Sequence, residues 1–243
     1  MTSHLADLVP GAVHIWHIDL GVGSERVEIF RSILSADDLQ RADRFHFERD
    51  RCRFVAAHAA MKTILSEYLG KPPQEIVLVY SDKGKPELGA GLTRSGLRFN
   101  LSHSRHRALL ALTTHSRIGV DIEFINPEYS CDDIARRFFS PAEVHNLQAL
   151  SPKQRSRAFF YCWTRKEAYI KALGEGLSQP LDSFDVAFMP GEPARLLRVE
   201  AQEDLLRWSV YDLPVPSGYA AAVVVEGREH GIFQQQWEWN RFC

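Results

Sequence analysis

Two long stretches of helical periodicity, each stopped by glycine, constrain this chain more than any other feature. From Phe54 to Leu69 apolar residues recur at Phe54, Ala57, Met61, Ile64, Leu65 and Tyr68, and the pattern ends at Gly70, just before Pro72–Pro73. From Lys153 to Leu173 the apolar stripe is Phe159, Cys162, Trp163, Tyr169, Ile170 and Leu173, and Gly174 and Gly176 end it. Spacings of three and four place such residues on one helix face, and glycine lets the chain leave the helix in a left-handed conformation. A helix with a single apolar stripe must bury it against another layer. Strand-like runs supply that layer on both sides. Ala12–Leu20, Ile76–Tyr80, Leu97–Leu101 and Ala108–Thr114 surround the first helix in sequence, with Ser102–Arg107 as a connection. Ile118–Phe124, Phe184–Phe188, Arg195–Val199, Leu206–Tyr211 and Tyr219–Val225 surround the second, and the tail with Trp237 and Trp239 is placed to cover an edge. Ser35 with Asp37–Asp38, and Ser140-Pro141-Ala142-Glu143, are further helix-start signals. The order strand, helices, strands is thus repeated. An α+β fold is expected, in two halves of 1–115 and 116–243 meeting near Thr114–Arg117.

The length of 243 residues allows one large domain or two packed halves. Hydrophobic residues are 45% and charged residues 25%, which excludes disorder over most of the chain. The net charge of −2 excludes a uniformly basic nucleic-acid surface. The charge divides as +2 over residues 1–116 and −4 over 117–243. Cysteines at 52, 131, 162 and 243 form no CxxC pair and no zinc spacing, so free thiols in a reducing compartment are expected. No basic region followed by an apolar core opens the chain, and the apolar run Ala220–Val225 is too short to cross a bilayer. A cytoplasmic protein is expected, without a membrane partner.

Five constellations can carry chemistry. In Ile118-Gly119-Val120-Asp121-Ile122-Glu123, strand alternation puts Asp121 and Glu123 on one face. Two such carboxylates repel unless a cation neutralises them, and hard oxygen donors favour Mg²⁺; the competing reading is a solvated strand face. In Trp163-Thr164-Arg165-Lys166-Glu167-Ala168-Tyr169-Ile170-Lys171, Glu167 and Lys171 share a helix face, either as a surface ion pair or as a third carboxylate beside a phosphate-binding lysine. Phe99-Asn100-Leu101-Ser102-His103-Ser104 ends an apolar strand in a hydroxyl–imidazole pair. Adjacent residues point apart and no G-x-S-x-G elbow is present, so anion binding is preferred to a nucleophile pair. Asp82-Lys83-Gly84-Lys85-Pro86 is a basic turn able to meet phosphate oxygens, but it is no Walker A loop. Arg41, Arg44, Arg49, Arg51 and Arg53 suit phosphates, although Asp43, Glu48 and Asp50 offer them a surface network instead.

Taken in order, K-G-K-P, F-N-L-S-H-S, I-G-V-D-I-E and F-Y-C-W-T-R-K-E-A-Y-I-K-A-L-G-E-G-L closely resemble the 4′-phosphopantetheinyl transferase superfamily, in its long, pseudo-dimeric, surfactin-synthetase-activating (Sfp-like) subfamily. The resemblance runs from about Leu34 to about Val225. It implies two similar α/β halves related by a pseudo-two-fold axis, each a long helix packed on a small antiparallel sheet, with coenzyme A between them. It implies transfer of 4′-phosphopantetheine from coenzyme A to a serine hydroxyl of an apo acyl or peptidyl carrier protein, releasing adenosine 3′,5′-bisphosphate. Asp121, Glu123 and Glu167 match the Mg²⁺ ligands, with Mn²⁺ as a substitute. Lys171 matches a donor-phosphate contact, and Asn100, Ser102 and His103 match positions near the adenine and 3′-phosphate. Lys83, Gly84, Lys85 and Pro86 match the loop beside the adenine, and Arg41 and Arg53 match basic positions used for the 3′-phosphate. Asp121, Glu167 and Lys171 are the expected catalytic set. Glu167, Glu143 or a metal-bound water is the expected acceptor of the serine proton. Carrier docking is expected on Ser130–Leu150, through Arg136, Arg137, Phe138 and Phe139, with core packing the competing reading for the two phenylalanines and the preferred one for at least one of them. A monomer is expected, since one chain supplies both halves. The competing functions are a non-catalytic coenzyme A-binding or carrier-docking module and a Mg²⁺-dependent phosphodiester hydrolase.

Overall fold

The computed structural model describes residues 8–126, 128, 130–174, 179–199 and 205–239; Gly176 and Cys243 lie outside them. In chain order the elements are β1 (Ala12–Asp19), α1 (Ser24–Arg31), α2 (Ala36–Ala42), α3 (Glu48–Leu69), β2 (Leu78–Tyr80), β3 (Pro86–Leu88), β4 (Leu97–Ser104), β5 (Arg107–Thr114) and β6 (Ile118–Phe124). Then follow α4 (Cys131–Phe138), α5 (Pro141–Gln148), α6 (Pro152–Leu173), β7 (Asp185–Val186), β8 (Leu196–Arg198), β9 (Trp208–Asp212), β10 (Tyr219–Glu226) and β11 (Gly231–Gln236). The architecture is α+β, in two compact units.

One unit holds 8–80, Pro86–His115 and 231–239. Its sheet has the order β11-β1-β5-β4. The neighbours β1–β5 and β5–β4 are antiparallel as expected, but β11 joins β1 in parallel, so the sheet is mixed. The tail therefore extends the sheet, covering an edge that would otherwise expose unpaired backbone. Trp237 is buried edge-on against Trp16, and Trp239 stacks on Phe30. α3 buries Val55, Ala56, Ala59, Ala60, Ile64 and Leu65 in a core shared with Trp16, Phe99, Leu110 and Leu112. It ends as the sequence predicts, with Gly70 left-handed at φ 61°. The strands β4 and β5 run further than expected. Ser102 pairs with Leu109, His103 with Ala108 and Ser104 with Arg107, so the connection shrinks to the turn at Arg105 and His106. Arg105 takes φ 52° to close it, and apolar Ala108 and Leu109 supply partners that continue the ladder.

The other unit holds Ser81–Lys85 and 116–230. Its antiparallel sheet has the order β6-β10-β9, and α6 packs on β6 and β10. Ala168, Tyr169 and Ala172 of α6 share a core with Ala220, Ala222 and Val224 of β10. Both helix-start signals hold: Ser35 and Ser140 each form a capping box, with Asp38 and Glu143 respectively. Each unit thus contains a 22-residue helix over a sheet.

Candidate active site

The carboxylate motif owes its position to a glycine. A Cβ on Gly119 would lie 2.1 Å from the Ala168 carbonyl oxygen and 2.3 Å from the Ala172 nitrogen. Only glycine allows β6 to press its backbone against the last turns of α6. That approach brings Asp121, two residues on, to the helix face that carries Glu167 and Lys171. The cross-strand neighbours are small, Ala222 opposite Asp121 and Ala220 opposite Glu123, which leaves room for charged side chains.

Asp121 is 3% exposed, and Lys171 Nζ donates to its Oδ1 at 2.6 Å. Burial and the charge of Asp121 both push the Glu167 carboxyl above its ordinary value, and the Lys171 ammonium offsets part of this. The strand and helix motifs, some fifty residues apart in sequence, therefore form one electrostatic unit. Glu123 is half-buried beside them. Among the described residues no group of three His, Cys, Asp or Glu side chains is gathered for a metal ion. Lys85 adds to the positive side of the site. Its Nζ donates to the carbonyls of Ile118 at 3.2 Å and Lys171 at 2.5 Å, which ties the basic turn to the β6–α6 junction.

The structure removes Glu143 from the set of proton acceptors. It is 2% exposed and accepts hydrogen bonds from the Ser140 and Val186 nitrogens. It also pairs at 2.7 Å with Lys166, which is itself fully buried and donates to the Leu181 and Phe184 carbonyls. A carboxylate committed to three donors inside the core holds α5, α6 and β7 together and has no access to a substrate. Lys166 and Gly119 thus hold roles beyond those expected from sequence, one pairing a buried carboxylate and the other admitting the helix backbone. A glycine inside a strand motif was the readable sign of close backbone approach, whereas a lysine in a helix reads as exposed.

The residues expected on the coenzyme side are placed as follows. Asn100 and Ser102 are buried and share one face of β4, opposite Phe99 and Leu101; His103 is exposed on the other face. A Ser102–His103 nucleophile pair is thereby excluded. Lys83 and Gly84 are exposed in the turn, with Gly84 at φ 78°, and Pro86 opens β3 opposite Tyr80. Arg53 bonds Asp50 at 3.3 Å and His106 at 3.1 Å. Arg41 lies over the Tyr80 ring, its guanidinium carbon 3.3 Å from the centroid, and among the described residues it has no carboxylate at ion-pair distance.

Residues 117–224 match a family model described as the 4′-phosphopantetheinyl transferase superfamily, and residues 23–115 match one described as 4′-phosphopantetheinyl transferase, N-terminal. The 4′-phosphopantetheinyl transferase HetI of Nostoc sp. is 39% identical over 220 residues, covering 90% of each chain. The chain belongs to the 4′-phosphopantetheinyl transferase superfamily. Two Bacillus subtilis transferases, one of them Sfp, are 34% and 31% identical, each covering 70% of this chain and 73% of its own. Among solved structures, the holo-[acyl-carrier-protein] synthases of Thermotoga maritima and Neisseria meningitidis are each 21% identical and cover 46% of this chain. They match 62% and 97% of those chains, with TM-scores of 0.36 and 0.35.

In this transferase the segment expected to meet a carrier divides in two. Arg136 and Arg137 are exposed on α4, Arg136 pairing with Asp133 and Arg137 lying over the Phe138 ring. Phe139 is 3% exposed and stacks on Phe159, so it belongs to the core, and Phe138 is half-buried against Trp163. No helix among the described residues is long and apolar enough to cross a membrane.

Proposed function

We propose that this transferase moves 4′-phosphopantetheine from coenzyme A to a serine hydroxyl of an apo carrier protein at the β6–α6 site, in a Mg²⁺-dependent reaction. The serine oxygen attacks the β-phosphorus, the bond to the bridging oxygen breaks, and adenosine 3′,5′-bisphosphate leaves. The observation that carries this reading is the coupling of buried Asp121 to Glu167, with the Lys171 ammonium 2.6 Å from Asp121.

Asp121, Glu167 and Glu123 would hold the cation, and the three would have to draw together on it, since among the described residues they are not gathered as a cluster. The fit is supported by the all-oxygen donor set and by the surroundings of Glu167, whose carboxyl is pushed up first by burial and then by the Asp121 charge, both of which a divalent ion would offset. When bound, Mg²⁺ supplies positive charge against the pyrophosphate. Lys171 is poised to exchange its contact with Asp121 for a donor phosphate oxygen. Glu167 accepts the serine proton, directly or through water; its raised pKa suits it to that task, and Glu143 is unavailable for it. Lys83, Gly84, Lys85, Pro86, Asn100, Ser102, His103, Arg41 and Arg53 are assigned to the adenine and 3′-phosphate of coenzyme A. Residues 1–115 thus serve mainly the coenzyme and 116–230 the metal; contrary to the expected division, the tail from Gly231 belongs to the first unit and the turn Ser81–Lys85 to the second. Carrier docking uses Arg136 and Arg137, which suit an acidic partner. The transferase acts as a cytoplasmic monomer.

The test is the intact mass of apo carrier proteins after incubation with coenzyme A, with and without Mg²⁺. A phosphopantetheine adduct that requires Mg²⁺ is expected, and Glu167→Gln should lower its rate by about a hundredfold or more. An adduct formed at full rate in EDTA, or unaffected by Glu167→Gln, would overturn the residue assignment. Cleavage of coenzyme A without any carrier adduct would instead favour the hydrolase.

A further inference from the structure

The unit that contains α2 and α3 encloses a cluster of charged groups that the reaction does not use. Asp38, at the third position of α2, is only 1% exposed. Its Oδ2 accepts the Ser35 hydroxyl at 2.7 Å, and its Oδ1 accepts the Tyr80 hydroxyl at 2.9 Å. From α3, His58 Nδ1 stands 3.5 Å from Oδ1 and Lys62 Nζ stands 3.4 Å from Oδ2, with Lys62 also buried. A helix cap needs only the bond to Ser35, so the cap alone does not account for a buried carboxylate with this many donors.

The bond to Tyr80 links this cluster to Arg41. Tyr80 is the last residue of β2 and directly precedes the basic turn Ser81–Lys85. Its hydroxyl is pinned by Asp38, and its ring carries the Arg41 guanidinium 3.3 Å from the centroid. A guanidinium stacked face-on keeps its N–H donors in its own plane, pointing away from the ring toward any anion at its edge. An arginine held in this way loses little rotamer freedom when a phosphate arrives.

We propose that Tyr80, pinned through its hydroxyl to buried Asp38, is a positioning residue that holds Arg41 for the 3′-phosphate of coenzyme A and so sets the preference for the 3′-phosphorylated donor. This rests on the assignment of Arg41 to that phosphate, and the experiment separates the two. Steady-state KM is measured for coenzyme A and for 3′-dephospho-coenzyme A, which differ only in the phosphate concerned. Wild type, Arg41→Ala, Tyr80→Phe, Tyr80→Leu and the double variant Arg41→Ala/Tyr80→Leu are compared, each checked for its melting temperature.

Arg41→Ala should raise KM for coenzyme A with little change for the dephospho donor. Tyr80→Leu should do the same by about fivefold to thirtyfold, the worth of a partly desolvated cation–π contact together with the lost orientation. Tyr80→Phe keeps the ring and loses the pin, and should fall between wild type and Tyr80→Leu. The double variant should be no worse than Arg41→Ala alone, because Tyr80 acts through Arg41. If Arg41→Ala leaves the ratio of the two KM values unchanged, the assignment of Arg41 fails. If Arg41→Ala collapses that ratio and Tyr80→Leu does not, the positioning role alone is overturned. An equal rise for both donors in the Tyr80 variants would also overturn it, since that is the effect of general damage.

Discussion

Gly119→Ala is the most informative single substitution outside the charged residues. The added methyl would meet three backbone atoms of α6, 2.1 Å from the Ala168 oxygen, 2.3 Å from the Ala172 nitrogen and 2.8 Å from the Lys171 carbonyl carbon. No flexible side chain can give way, so β6 and α6 must separate by about 1 Å. Overpacking of this kind costs about 1–3 kcal/mol, and contact with backbone alone puts it at the upper end. For a protein of this size about 3 kcal/mol lowers the melting temperature by roughly 6–12 °C. The displaced turn also carries Glu167 and Lys171, so the 2.6 Å contact to Asp121 opens with it. A misplacement of about 1 Å at a reacting centre costs roughly a hundredfold in rate. The assay is thermal melting together with kcat/KM for carrier loading. Gly91→Ala is the control, since a Cβ there meets nothing within 4 Å. If Gly119→Ala melts within about 2 °C of wild type and loads carrier within threefold of its rate, the close approach does not position the site and the reasoning fails.

Lys166→Met should destabilise the protein by about 3–5 kcal/mol, because it leaves Glu143 charged and buried, while Lys166→Met with Glu143→Leu should recover most of the loss; denaturant melts of all three proteins check this. Asp38 and Glu226 govern behaviour in acid. Burial pushes both carboxyls up, but their partners outweigh it: the His58 imidazole 3.5 Å away with the Ser35 and Tyr80 hydroxyls at Asp38, and Arg117 and Arg207 at Glu226. Asp38 is held well below its ordinary 3.8 and Glu226 is lowered from 4.5 to about 2. Their stabilisation is therefore present above pH 4–5 and lost as pH falls through the depressed values. Asp38→Asn should flatten the acid limb of a stability–pH profile, and an unchanged slope would refute the assignment. The part-exposed Glu226 contributes only about 1 kcal/mol, so Glu226→Gln should shift the same limb slightly.

Much of the site was readable from local pattern. Asp121 and Glu123 alternate on a strand, Glu167 and Lys171 lie one turn apart on a helix, and Ser35, Ser140, Gly70 and Gly174 mark helix ends through bonds and dihedral angles that involve only their neighbours. The limits of the hairpin were not readable. Ser102–Ser104 remain in β4 because β5 offers partners to pair with, and polar residues at a strand end look the same as a turn. The parallel pairing of β11 with β1 joins residues more than two hundred positions apart, and its Gly-Ile-Phe-Gln-Gln-Gln run carries little strand signal of its own.

The sequence by itself determined the fold class, the family and the residue types of the site, because these follow from periodicity, capping and motif order, all of them short-range properties of the chain. Tertiary structure alone decided which charged groups serve chemistry and which serve the core. Glu143 and Glu167 are both helical carboxylates; the capping position of Glu143 is legible locally, but which of the two is sealed in the core is not. Lys166 and the Val186 backbone claim one, while Asp121 and Lys171 surround the other. Tyr80 likewise becomes a support for Arg41 only because α2 and β2, far apart in sequence, bring Asp38 to its hydroxyl. The role of a charge is set by its partners and its burial, and both are fixed only when distant segments pack.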